Sequence, residues 1–299
     1  MNKNFRRSAG VLACSGVARS FFSACLMSVA LLCAPPSAAA QKEPERTGGP
    51  YVPTPKIVVD EMLRMGKVNA KDFVIDLGSG DGVIVMTAAR ELKAQGFGVD
   101  IDAALVQQSN AEAQRHGIAD RASFHVQDVF KADLSRATVI TLYLLPGMMA
   151  DLRAKLFLEP GPGTRIVSHD YHFDEWQPDD MITLDVPEKE KINGLPKATI
   201  LLWVVPAKVS GRWRMQVDGG GQYDFTLKQD YQVLDGAGSA SGKPLRISSG
   251  RMRGEEIDFT LSEGAARRRF RGAVAGDAME GTVDLGGGKT AKWSAKRAS

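Results

Sequence analysis

The chain of 299 residues is 43% apolar and 24% charged, the balance of a soluble folded protein, and it is too long for one typical domain. Its formal charge of +3 turns slightly negative once the basic leader described next is removed, which argues against a nucleic-acid partner. All three cysteines, Cys14, Cys25 and Cys33, lie in that leader, so the remainder has no disulfide framework, no thiolate nucleophile and no cysteine metal site.

Residues 1–40 open with Lys3, Arg6, Arg7 and Arg19, contain no acid, carry an apolar stretch at 21–34 and close on Ala38 and Ala40. This pattern predicts a signal peptide cleaved after Ala40, and hence an exported, periplasmic chain; an unprocessed leader would leave it cytoplasmic. The apolar stretch is too short to span a bilayer, so no transmembrane segment is expected in the mature chain. Arg6-Arg7 leaves the twin-arginine route open beside the general secretory one. Residues 41–50 are polar and read as a linker.

The segment 50–55, PYVPTP, is stiff, because proline fixes φ at three positions. Ile57, Val58, Met62 and Met65 then make a helical stripe over 53–65 that Gly66 ends. Thr54 is placed to cap this helix with Pro55 at its first position. The same segment could also fold as a lid over a ligand, which makes Tyr51 and Thr54 candidate contacts.

Residues 73–82, FVIDLGSGDG, read as a buried strand ending in Asp76 and a turn with Gly78, Gly80 and Gly82 at alternate positions. Glycine permits positive φ and lets a ligand touch the main chain, while the helix predicted over 83–93 offers unpaired N–H groups. A nucleotide-like ligand suits such a loop. A second strand, 97–99, leads into Asp100, where an acid can accept both hydroxyls of a ribose. A third, 122–127, leads into Asp128 and Val129. Each Asp taken singly could be a helix cap, but three acids at successive strand ends line the edge where open α/β sheets bind ligands. Asp102, one step further on, reads as the cap of a helix over 103–116.

Strands at 138–143, 164–170, 181–186 and 198–205, with a helix at 146–158, complete the alternation. The last two strands are joined by the loop 187–197 with no helix between them, so the final strand is expected to be antiparallel. The fold class is α/β: a Rossmann-like seven-stranded, mostly parallel sheet. DLGSGDG, GVDID, QDVF, RIVSHD and the proline-rich entry together resemble the class I (seven-β-strand) S-adenosylmethionine-dependent methyltransferases. Within them they resemble the small group related to the mitochondrial protein-lysine methyltransferases, whose substrates are the adenine nucleotide translocase and the membrane-ring protein of the ATP synthase. The resemblance covers residues 50–206. It implies S-adenosyl-L-methionine as co-substrate, held by Tyr51, Thr54, Asp76, Gly78, Gly80, Asp100, Asp128 and Val129, with Asp128 at the adenine amine and Val129 on the ring. A protein lysine amine is among the implied acceptors; the export signal and the C-terminal region depart from the group and leave the acceptor unassigned.

Methyl transfer needs alignment and dryness more than a nucleophilic side chain, but an amine must lose a proton. Tyr143, at the end of the fourth strand, and Asp170, at the end of the fifth, are the candidate catalytic residues. Tyr143 could equally pack beneath the cofactor, and His169 and Asp170 could belong to a surface loop. No metal-ligand spacing occurs.

The composition shifts near Pro206: about half of the 31 glycines follow it, and the excess of acids gives way to an excess of bases. Eight short alternating runs between 211 and 295 predict a small all-β antiparallel barrel or sandwich. The domains expected are therefore a signal peptide, 1–40; a linker, 41–50; the methyltransferase-like domain, 51–206; and the β-barrel-like domain, 207–299. Arg267 to Arg271, RRRFR, reads as a solvated strand face around an inward Phe270. The rival to an enzyme is an exported nucleoside-binding or scaffolding protein on a retired methyltransferase fold.

Overall fold

A computed structural model describes residues 49–298; the leader, its cleavage site and most of the predicted linker lie outside the described residues. Helix α1 (Lys56–Met65) buries Val58, Val59, Met62, Leu63 and Met65. Its cap is Pro55, in extended conformation, with no side-chain cap bond, so Thr54 is not the cap that the sequence suggests. A residue before proline is held extended, which carries Thr54 away from the helix end.

The α/β alternation then runs β1 (Phe73–Leu77), α2 (Val83–Glu91), β2 (Gln95–Asp100), α3 (Ala103–Arg115), β3 (Ala122–Val126), β4 (Val139–Leu142), α4 (Pro146–Leu158) and β5 (Arg165–His169). It ends with β6 (Asp180–Asp185), α5 (Pro187–Asn193) and β7 (Lys197–Val204). The sheet order is β3-β2-β1-β4-β5-β7-β6, with β7 antiparallel to both neighbours. All four residues of β4 are buried, as a central parallel strand covered on both faces requires, whereas β6 at the edge alternates between exposed and half-buried.

Helix α5 corrects the expectation of a plain loop between the last two strands. Its PEKEKIN sequence carries no apolar stripe, and a seven-residue helix is not stable alone. It is anchored by Lys189, 1% exposed, whose ammonium donates to the Asp170 carboxylate and to the Lys197 carbonyl.

The rest of the chain is an up-and-down meander: β8 (Gly211–Val217), β9 (Gln222–Asp230), β10 (Val233–Ala240), β11 (Lys243–Arg253), β12 (Glu256–Glu263), β13 (Ala266–Ala275), β14 (Ala278–Gly286) and β15 (Lys289–Arg297). It closes as a barrel, rather than opening as a sandwich, because β15 pairs with β8 from Trp293↔Val217 to Arg297↔Trp213. Side chains alternate in and out along β8 and β9, and Trp213, Phe225, Phe259, Phe270 and Trp293 fill the interior. Phe270 points in, and Arg267, Arg269 and Arg271 are exposed, with Asp258 pairing the last two. Tyr231 and Gln232 form the two-residue turn between β9 and β10.

Candidate active site

The carboxyl ends of β1, β2 and β3 and the segment before α1 enclose one cleft with the ends of β4 and β5. All eight residues singled out for the cofactor line it: Tyr51, Thr54, Asp76, Gly78, Gly80, Asp100, Asp128 and Val129. So does Tyr143; Asp170 does not.

Gly78, Gly80 and Gly82 have φ of +79°, +51° and +76°. The loop is tied to β2, since Gly78 N and Ser79 N both donate to the Val99 carbonyl, at 2.9 and 3.0 Å. Asp100 then accepts from Gly80 N at 2.8 Å through one carboxylate oxygen and from Asp102 N at 2.9 Å through the other. Each oxygen retains a lone pair for an incoming hydroxyl. Asp102 caps α3, accepting from Ala104 N and Leu105 N, although it also borders the cleft. Asp128 accepts from Phe130 N at 3.0 Å, with Val129 buried beside it. Ser79 Oγ is buried in the cleft wall without a hydrogen-bond partner among the described residues.

Asp76 is 2% exposed and accepts from the Thr141 hydroxyl at 2.7 Å, across the β1–β4 register that pairs the two residues. Burial pushes its pKa up to about 7, against which the Thr141 bond works, and Asp81 and Asp100 add to the rise. Folding thus favours the protonated acid: the stability it contributes is full below about pH 4 and is lost as pH rises towards 7, a change on the order of a few kcal/mol. Urea midpoints measured at pH 5 and pH 8 should separate more in the wild type than in Asp76→Asn, which keeps the volume but cannot ionise. Equal separations would show Asp76 to be ionised throughout.

The proline-rich segment lies over the glycine loop. The Tyr51 ring covers Gly80 so closely that a Cβ there would sit 2.6 Å from it. Burial raises the Tyr51 pKa, and Asp81, which hydrogen-bonds the phenol, raises it further. Both readings of this segment hold in part: it enters the helix and also roofs the cleft.

The far end of the cleft is aromatic and aliphatic, with Tyr143, Leu144, Leu145, Met148 and Tyr171. The Tyr143 ring lies 3.9 Å from the His169 ring, tilted by 30°, and stacks on Tyr171 at 6.1 Å. Its pKa is pushed up to about 12, first by burial and then by Asp170 and Tyr171, while the Asn193 side chain of α5 bonds the phenol and opposes the rise. His169 is not on a surface loop; it is fully buried, and neither ring nitrogen has a hydrogen-bond partner among the described residues. Burial, aided by Lys189 and opposed by Asp170, lowers its pKa to about 4 and keeps it neutral. Asp170, at φ +66°, receives Lys189 Nζ and Thr199 N (3.0 Å), so it ties α5 to β7 instead of facing the cleft. Strand-end reasoning misses Tyr171, which stands one residue beyond the acid at the end of the fifth predicted strand. Asp81 lies within the glycine motif itself, where its position between two glycines is the available signal.

A seven-stranded sheet of this order, with a glycine loop and strand-end acids along its carboxyl edge, defines the class I S-adenosylmethionine-dependent methyltransferases. A family model described as the ANTKMT methyltransferase domain matches residues 76–180. A protein-lysine N-methyltransferase of Saccharolobus islandicus is 38% identical over 157 residues, which are 52% of this chain and 93% of that protein. An adenine nucleotide translocase lysine N-methyltransferase of Mus musculus is 30% identical over 138 residues, 46% of this chain and 60% of the relative. Among solved structures, an RNA methyltransferase from Salinibacter ruber in complex with S-adenosyl-L-homocysteine shows 43% identity over 53% of this chain and 96% of its own, with a TM-score of 0.48. The chain belongs to the class I S-adenosylmethionine-dependent methyltransferases and is related to the protein-lysine N-methyltransferases among them.

Gly80→Val should harm cofactor binding by displacing the roof of the cleft. A side chain there meets the Tyr51 ring, before any ligand, and in a backbone conformation unsuited to valine. Lifting the roof should weaken S-adenosylhomocysteine binding by tenfold or more, in line with the roughly 1–3 kcal/mol cost of that conformation. Calorimetry checks this beside a thermal melt; binding undiminished in the variant would make the loop a mere turn.

Proposed function

We propose that this methyltransferase acts on the ε-amine of a protein lysine. The observation that carries the reading is the division of the cleft, with acids at the ends of β1, β2 and β3 and neutral aromatic side chains beyond β4 and β5. The acid half suits the cofactor: Asp100 takes the ribose hydroxyls, Asp128 the adenine amine, Val129 the ring face, and the glycine loop the approach of the main chain. The walls of Tyr143 and Tyr171 suit an aliphatic stem tipped by an amine, because aromatic faces attract a cation and shield a methylene chain. Relatives in the family are named as lysine N-methyltransferases.

Bound S-adenosylmethionine supplies a methyl group on a sulfonium; the N–C bond forms as the S–C bond breaks, its electron pair passing to sulfur. The chain's own part is alignment, worth about 7–11 kcal/mol when complete, and exclusion of water. A phenol with pKa about 12 stays protonated at neutral pH, so Tyr143 is not the base. Its oxygen accepts an N–H bond from the amine and turns the nitrogen lone pair towards the methyl. The amine sheds its proton to solvent before it is enclosed. Tyr51 and the proline-rich segment cover the opposite side.

The experiment is incubation with S-adenosylmethionine and a synthetic lysine peptide, read by tandem mass spectrometry. Methyl on the lysine nitrogen is expected, with kcat reduced in Tyr143→Phe and S-adenosylhomocysteine affinity retained. Cofactor binding without transfer to the lysine would favour the retired, ligand-holding fold. The leader pattern at residues 1–40 supports a further proposal, an exported enzyme beginning at Gln41. N-terminal mass spectrometry of separated periplasmic and cytoplasmic fractions decides it, and an intact Met1 form confined to the cytoplasm would overturn export.

A further inference from the structure

The turn between β9 and β10 is made of unusual residues. Two-residue hairpin turns need positive φ and favour Asn-Gly, yet this one is Tyr231-Gln232, with Tyr231 at φ +49°. Gln232, at a hairpin tip where exposure is the rule, is 2% exposed. A bulky residue held left-handed invites a search for what it touches.

Both residues reach out of the barrel into the long connection between β5 and β6. The Tyr231 ring lies flat on Trp176 at 5.4 Å and 10°, and meets Phe157 of α4 edge-on at 5.1 Å. Gln232 Nε2 donates to the Gln177 carbonyl at 2.6 Å. Arg251 of β11 pairs with Asp179 at 2.7 Å; that carboxylate is 1% exposed and also receives Val204 N. Three positions of one connection, 176, 177 and 179, are thus gripped by the barrel. The connection has little regular structure of its own beyond the Phe173↔Trp176 bridge. It begins at Asp170 and Tyr171, and Tyr171 is a wall of the cleft.

We infer that the barrel is a working part of the active site: the Tyr231-Gln232 turn positions the β5–β6 connection and, through it, the Tyr171 wall on the acceptor side. The term acceptor side rests on the proposed lysine reading; the mechanical coupling does not. Tyr231 is a positioning residue, since it touches neither the cleft nor a reacting group. Its ring does the positioning, so Tyr231→Phe should behave as wild type.

The test uses the whole chain, with hydrogen exchange by mass spectrometry, S-adenosylhomocysteine calorimetry and lysine-peptide kinetics. In Tyr231→Ala, exchange in residues 170–179 should rise by roughly tenfold or more while 76–82 stay as protected as before. S-adenosylhomocysteine affinity should hold within about twofold, and kcat/KM for the peptide should fall by roughly ten- to a hundredfold, as misplacement of a positioning wall costs. Tyr231→Phe should restore all of these, and Arg251→Ala, which strips the buried Asp179 carboxylate of its cation, should also loosen 170–179. Unchanged exchange at 170–179 would overturn the inference, as would exchange that rises equally at 76–82. Should the wild type leave the peptide unmethylated, the lysine reading falls and the exchange comparison still decides the role of the barrel.

Discussion

Replacing Asp100 by alanine should weaken S-adenosylhomocysteine binding by roughly ten- to a hundredfold, the equivalent of losing a charged acceptor worth about 1.5–3 kcal/mol. The carboxylate has two tasks in the structure. It presents lone pairs to the cleft, and it holds Gly80 N and Asp102 N in place, so its removal both deletes an acceptor and loosens the loop. Asp102→Ala makes the control, because that side chain caps α3 through Ala104 N and Leu105 N. Its loss should cost about 0.5–2 kcal/mol of stability and leave affinity nearly unchanged. Titration calorimetry on both variants, with melts on the same samples, separates the effects; equal losses of affinity would remove Asp100 from the ribose position.

Lys189→Met should lower stability more than any of the cleft substitutions. The ammonium is buried against the Asp170 carboxylate and the Lys197 carbonyl, and taking one partner from a buried pair costs about 3–5 kcal/mol, because the other charge is left behind. For a chain of this size that is on the order of a 10 °C drop in melting temperature. Adding Asp170→Asn should recover much of it, since the uncompensated charge goes. A loss below about 1 kcal/mol would mean that water reaches the pair and that α5 is held by something else.

Asp100 and Lys189 mark where the sequence can be read and where it cannot. Asp76, Asp100 and Asp128 are legible because a strand's end is a local property: an apolar run stops at an acid, and the parallel alternation puts all such ends on one edge. The eight runs of the barrel are legible for the same reason, as period-two alternation between turns. Lys189 is illegible, since EKEK reads as solvent-facing charge until Asp170, 19 residues earlier, is brought under it. The burial of His169 and the outward reach of Tyr231 likewise depend on partners distant in the chain. Local pattern finds strand ends; it does not find what a third element folds over.

Closure of the barrel has a consequence for the order in which the protein can be assembled. β8 finds its second neighbour only when β15 has been made, some eighty residues later, so the ring cannot seal on a chain still being synthesised through that stretch. The glycine loop and the acids of β1, β2 and β3 draw their partners from residues up to Leu144, with Thr141 of β4 holding Asp76, and can form before the barrel is made. The polypeptide would therefore acquire the nucleoside end of its cleft while still growing, and the end beyond β5, leaning on a ring not yet closed, only after β15 emerges.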